Sequence, residues 1–97
     1  MYGTVAHFRV KPGHRDDLNT LIQEWNTERR PKIQGAVSGY LVNLDSDPQA
    51  MIMVGIFENK EVYQANADDP EQDAWFQRLM GHLEAEPEWH DGEFIAT

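Results

Sequence analysis

The sequence predicts an α+β domain built on a four-stranded antiparallel sheet, and three features point there. Residues 50–57, AMIMVGIF, carry no charged and no strongly polar side chain, the pattern of a strand covered on both faces. Strand-like and helix-like periodicities follow one another in the order strand, helix, strand, strand, helix, strand. The link Asp45-Ser46-Asp47-Pro48 between the second and third strands is so short that the two should pair as a hairpin.

Residues 2–10 alternate, with Tyr2, Thr4, Ala6, Phe8 and Val10 on one side and Val5, His7 and Arg9 on the other, so the first strand has one apolar and one mixed face. Lys11-Pro12-Gly13-His14 stops it, because proline lacks the N–H that a ladder needs and Pro-Gly is turn chemistry. A helix over residues 15–30 follows: Leu18, Leu21, Ile22 and Trp25 share one face, and Asp16 and Asp17 suit its positive N-terminal end. Pro31 is expected to end it. Residues 34–45 hold Val37, Tyr40, Leu41, Val42 and Leu44 on both alternating sets, a second strand covered on two sides. Asn59 caps a helix over 60–67. Asp69 and Pro70 then start a longer one, with the apolar set Trp75, Phe76, Leu79, Met80 and Leu83, which Pro87 is expected to stop. Residues 91–96, with Phe94 and Ile95, form the last strand, and His90 and Asp91 beside Gly92 read as turn residues.

These are two βαβ units in tandem with no linker between them, hence a single domain over residues 1–97. Right-handed crossovers give the ferredoxin-like βαββαβ arrangement, with the first and third strands central. Both helices then cover one sheet face. The other is left apolar, so a homodimer is expected.

Composition narrows the partners. A net charge of -9 and a pI near 4.6 argue against nucleic acid or an anionic membrane. The absence of Cys rules out disulfides, thiolate catalysis and Cys-ligated metal. The N-terminal MYGTVAHFRVKPG shows no charged leader followed by an apolar core, and no apolar run approaches about 18 residues, so the expected location is cytoplasmic.

The element order resembles the dimeric α/β-barrel proteins, and within them the antibiotic-biosynthesis-monooxygenase-like family. The residues that carry the resemblance are Arg29-Arg30-Pro31 with Ile33 and Gly35, the third strand running into Phe57-Glu58-Asn59-Lys60-Glu61, and the tail Pro87-Glu88-Trp89-His90-Asp91-Gly92. The resemblance implies two sheets packed back to back in a dimer and a small aromatic ligand held between sheet and helices. It also implies, among several activities, oxygenation of phenols and quinols without a cofactor. The haem-degrading branch fits poorly: its first-strand Asn is replaced here by His7 or Arg9, and Trp75 and His82 are only seven residues apart. The oxygenating branch uses an Asn and a Trp one turn apart at the second helix. Asn66 matches the first, while Pro70 stands at the second.

Candidate catalytic residues are therefore Asn66 and His82, and candidate substrate-binding residues are Trp25, Arg29, Trp75, His7 and Arg9. His82 falls about 90° from the centre of its helix's apolar stripe and is equally a boundary packing residue. His7 and Arg9 either line a cavity or make polar contacts between subunits. Arg29 lies about 20° from Leu18 in projection, on the face of Ile22 and Trp25. It either pairs with a carboxylate or sits at a cavity mouth, where it would favour a phenolate. No metal is expected, since the four His show neither H-E-x-x-H nor H-x-H spacing. Two functions stay open: a cofactor-independent monooxygenase for an aromatic or quinol-like molecule, and a non-catalytic ligand-binding or assembly homodimer.

Overall fold

The computed structural model describes residues 1–97. Four strands form one sheet: β1 (Tyr2–Arg9), β2 (Ala36–Asn43), β3 (Ala50–Phe57) and β4 (Glu88–Glu93). Their order is β2-β3-β1-β4 and every pairing is antiparallel, so β1 and β3 are central, as the ferredoxin-like expectation requires. Helices α1 (Arg15–Glu24), α2 (Lys60–Ala67) and α3 (Pro70–Met80) complete the chain.

The predicted alternation of β1 holds. Thr4, Ala6, Phe8 and Val10 are buried, while His7 and Arg9 are exposed. The core they enter contains Leu18, Leu21 and Trp25 from the first helical segment, Met51 and Phe57 from β3, and Trp75 and Leu79 from α3. The opposite sheet face has no covering element within the chain. There Tyr40 (60%) and Val42 (43%) are exposed, and Ile52, Val54 and Ile56 are half-buried.

Three boundaries differ from expectation. The first helix does not end at Pro31: α1 widens into a π-helical turn, Trp25–Arg29, and then narrows to a 3-10 turn, Arg30–Lys32. Pro31 sits in the first turn of that last piece, where a missing N–H costs nothing. The third helix stops at Met80, well before Pro87, because the chain after it turns onto the end of β1. Lys11 N donates to the His82 carbonyl, Glu84 N donates to the Arg9 carbonyl, and Val10 bridges Leu83. The last strand runs Glu88–Glu93 rather than 91–96, so His90 and Asp91 are strand residues, and Phe94 and Ile95 lie past its end. The caps are as read: Asn59 accepts from Val62 N, and Asp69 from Glu71 N.

Candidate functional site

On the helix-facing side of the sheet, one row is nearly bare of side chains. Gly39 of β2 lies opposite Gly55 of β3, Gly55 opposite Thr4 of β1, and Thr4 opposite Asp91 of β4. The next row toward the far end carries Leu41, Met53, Ala6 and Trp89, and the near side carries Phe57 and Tyr2. Glycine in a strand interior packs poorly and is retained where something must approach the backbone. Here the row forms the floor of a cavity of about 400 Å³ between sheet and helices, within the size range of small-molecule sites.

Aromatic rings wall it. Trp25, on the π-helical turn, reaches down to the floor, and a Cβ built on Gly39 would stand 3.2 Å from its Cζ3. Trp25 and Trp75 lie 6.2 Å apart, tilted by 52°, and Phe76 and Trp89 lie 5.7 Å apart, tilted by 47°. The walls therefore offer flat apolar surfaces at angles to one another, suited to an aromatic ligand.

The polar groups concentrate where α2 meets α3. Asn66 is buried, and its Oδ1 accepts from Arg29 Nη2 at 2.8 Å. Gln72 Oε1 accepts from both Arg29 Nε (2.7 Å) and Trp25 Nε1 (3.0 Å). Guanidinium and indole nitrogens can only donate, so both amides are fixed with oxygen toward them. Asn66 Nδ2 and Gln72 Nε2 are left as donors without a protein partner on two residues of the cavity wall. Buried on the same wall, the Trp75 Nε1 donor is also unpartnered. Amide N–H groups left free in this way can each donate to an acceptor.

At the other side of the floor, Tyr63 donates its hydroxyl to Asp91 Oδ1 at 2.8 Å. Burial, and then that bond to a carboxylate, push the phenol well above its ordinary value, so it stays protonated. Thr4 Oγ1, buried beside it, has no partner meeting hydrogen-bond geometry, although its proximity slightly favours the tyrosinate.

The structure thus gathers Trp25, Asn66 and Trp75 around one cavity. It sets the other candidates outside the lining. Arg29, its side chain 11% exposed, is occupied by Asn66, Gln72 and Glu71 (Oε2 at 3.1 Å), with Asp69 Oδ2 at 3.4 Å. Asp69 is correspondingly held below the usual carboxylate range, first by the Glu71 backbone N–H and then by Arg29. His82 faces His14, with Nδ1 to Nδ1 at 3.0 Å. His7 lies on the open face, 5.5 Å from the His90 ring. Arg9 pairs with Asp47 at 2.8 Å, which raises the guanidinium pKa and lowers that of the carboxyl. Thr4, Gly39, Gly55, Tyr63, Gln72 and Asp91 belong to the site and escape the sequence reading. The two strand glycines are the signal that could have found part of it.

No family model matches the sequence, and no curated protein does. Solved structures do match across nearly the whole chain. The "putative antibiotic biosynthesis monooxygenase" of Bordetella bronchiseptica superposes with a TM-score of 0.83 at 14% identity, covering 98% of this chain and 97% of that one. Proteins of the same description from Deinococcus radiodurans (TM-score 0.81, 13% identity, 100% and 95% coverage) and Chloroflexus aurantiacus (0.79, 21%, 99% and 94%) agree. The chain therefore has the antibiotic-biosynthesis-monooxygenase-like fold.

Proposed function

We propose that the cavity binds a flat aromatic molecule bearing a phenol or quinol oxygen, and that the protein oxygenates it without a cofactor. The observation behind this reading is the pairing of a glycine-floored, tryptophan-walled cavity with two amide donors locked in orientation by Arg29 and Trp25. Those donors would stabilise the phenolate, the electron-rich form that reacts with oxygen. Converting a phenol with a free ring position to a quinone then balances. The ring gives up one C–H and the O–H hydrogen and four electrons, one atom of O2 becomes the new carbonyl, and the other leaves as water. The enzyme's share is positioning and the preorganised donors.

The protein acts as a homodimer in this proposal, through the open sheet face around Tyr40, Val42, Ile52 and Val54, and works in the cytoplasm. Binding without turnover is the second reading, favoured by Pro70 standing one turn after Asn66 where the resemblance leads one to expect Trp. Incubation with a panel of phenols and quinols under labelled O2 separates the two. Oxygen uptake with label in both quinone and water supports the enzyme. Saturable quenching of Trp fluorescence with no uptake establishes the binding module.

A further inference from the structure

We propose that His14, Asp17 and His82 form a site for a divalent transition-metal ion of the Zn2+ class, separate from the aromatic cavity. One ligand atom from each residue lies within 4.8 Å of the other two. The two imidazoles meet Nδ1 to Nδ1 at 3.0 Å, and this is the only polar contact either ring makes. Two nitrogens bound tetrahedrally at about 2.0–2.1 Å from one ion stand roughly 3.3 Å apart, so the rings are already within a few tenths of an ångström of a chelating bite. As it stands, one imidazole must donate its Nδ1 hydrogen to the other. An ion would replace that shared hydrogen and bind both lone pairs.

The backbone holds the three in place from separate parts of the chain. His14 occupies the position before α1 but does not cap it with its side chain, and Asp17 follows three residues on, along the same helix face. Lys11 joins the halves: its carbonyl accepts from His14 N at 3.0 Å, and its N–H donates to the His82 carbonyl at 2.9 Å. The neighbouring cations are engaged elsewhere, Lys11 Nζ with the Gly81 carbonyl and Arg15 with Asn43 and the Leu44 carbonyl. The positive helix terminus opposes a cation by about half a charge, and the carboxylates of Asp16 and Asp17 outweigh it. Two imidazoles with one carboxylate suit Zn2+, Ni2+ or Cu2+ and disfavour Mg2+ and Ca2+. Three protein ligands leave a fourth position open to water or a small ligand. None of the three lines the cavity, so the ion would act as a clip between the start of α1 and the turn after α3.

The test is calorimetric titration of ZnCl2 into chelator-treated, full-length protein, with thermal denaturation alongside. The site requires one ion per chain, a rise in Tm with Zn2+, and no response to Mg2+. His14→Gln and His82→Gln should each weaken binding by roughly tenfold or more. Asp17→Asn, at an exposed position that leaves the fold intact, should weaken it too. His90→Gln, beside His7 on the other sheet face, should bind as the wild type does. No saturable binding overturns the proposal, as does binding that survives all three ligand substitutions or is lost in His90→Gln.

Discussion

Replacing Arg29 with methionine should cost the protein a large part of its stability. The guanidinium makes contacts of two kinds. Those to Glu71, 78% exposed, and Asp69, 43% exposed, are surface ion pairs screened by solvent and contribute little. Those to Asn66 and Gln72 are partly buried, charge-assisted and short, and bonds of that kind contribute about 1.5–3 kcal/mol each. Methionine keeps the aliphatic packing but leaves Asn66 Oδ1 buried without a donor. With two such bonds lost and some relaxation allowed, about 3 kcal/mol is expected. At about 4–8 °C per kcal/mol for a domain of this size, Tm falls by about 12–24 °C. Thermal denaturation followed by circular dichroism measures this. Binding of acidic phenols should fall as well, through loss of amide orientation, and a Gln72→Leu background should shrink the effect of Arg29→Met, since the two share a bond. A variant with wild-type Tm that selectively loses acidic phenols over neutral aromatics would refute the clamp and make Arg29 a ligand contact.

Gly55→Ala should be tolerated and even gain about 0.5–1 kcal/mol in denaturant unfolding, because its Cβ would meet Phe57 and Thr4 only at ordinary contact distance. It should also weaken aromatic-ligand binding by raising the cavity floor, and unchanged affinity would remove the floor from the site. Ile52→Lys, on the open face between Val42 and His7 and outside the cavity lining, should give a folded monomer near 11.2 kDa by light scattering, the lysine reaching solvent along its own stem. A dimer that persists would place the interface elsewhere. Because the folded state raises the Tyr63 pKa, the stability it confers is fully present below the unfolded value of about 10 and is lost as pH rises beyond it. Tyr63→Phe should therefore flatten the fall of stability above about pH 10, and an unaltered alkaline profile would place Tyr63 outside that linkage.

Local pattern carried the fold and failed at its joints. Period-two alternation located β1 and an unbroken apolar run located β3, each to within a residue, and Asn59 and Asp69 cap where side-chain chemistry says they should. The end of α3 departs from the local pattern because Pro87 is a local stop signal, whereas the actual stop is the pairing of residues 82–84 with the end of β1, a contact between distant parts of the chain. The early start of β4 follows, since the chain bends at residues 84–85 and enters the strand at Glu88. The site divides the same way. Trp25, Trp75 and Asn66 announce themselves as large or polar groups on helix faces, while Gln72 and Asp91 are ordinary surface residue types until a partner from another element, Arg29 or Tyr63, meets them.

The cavity floor shows most plainly why the remainder was hidden. Across β2 and β3, Ala36 pairs with Phe57 and Ser38 with Ile56, so Val37 is an extra residue in a bulge. In an unbroken ladder Ala36 opposite Phe57 would put Ser38 opposite Gly55 and turn Gly39 to the open face, because a shift of one residue exchanges the faces of a strand. The bulge restores Gly39 to the inner face, opposite Gly55, and there Trp25 descends onto it. The space for a ligand thus depends on one inserted residue, whose exposed valine looks in the sequence like any other strand position. Sheet register, set by contacts between strands, converts two strand glycines into the floor of the cavity.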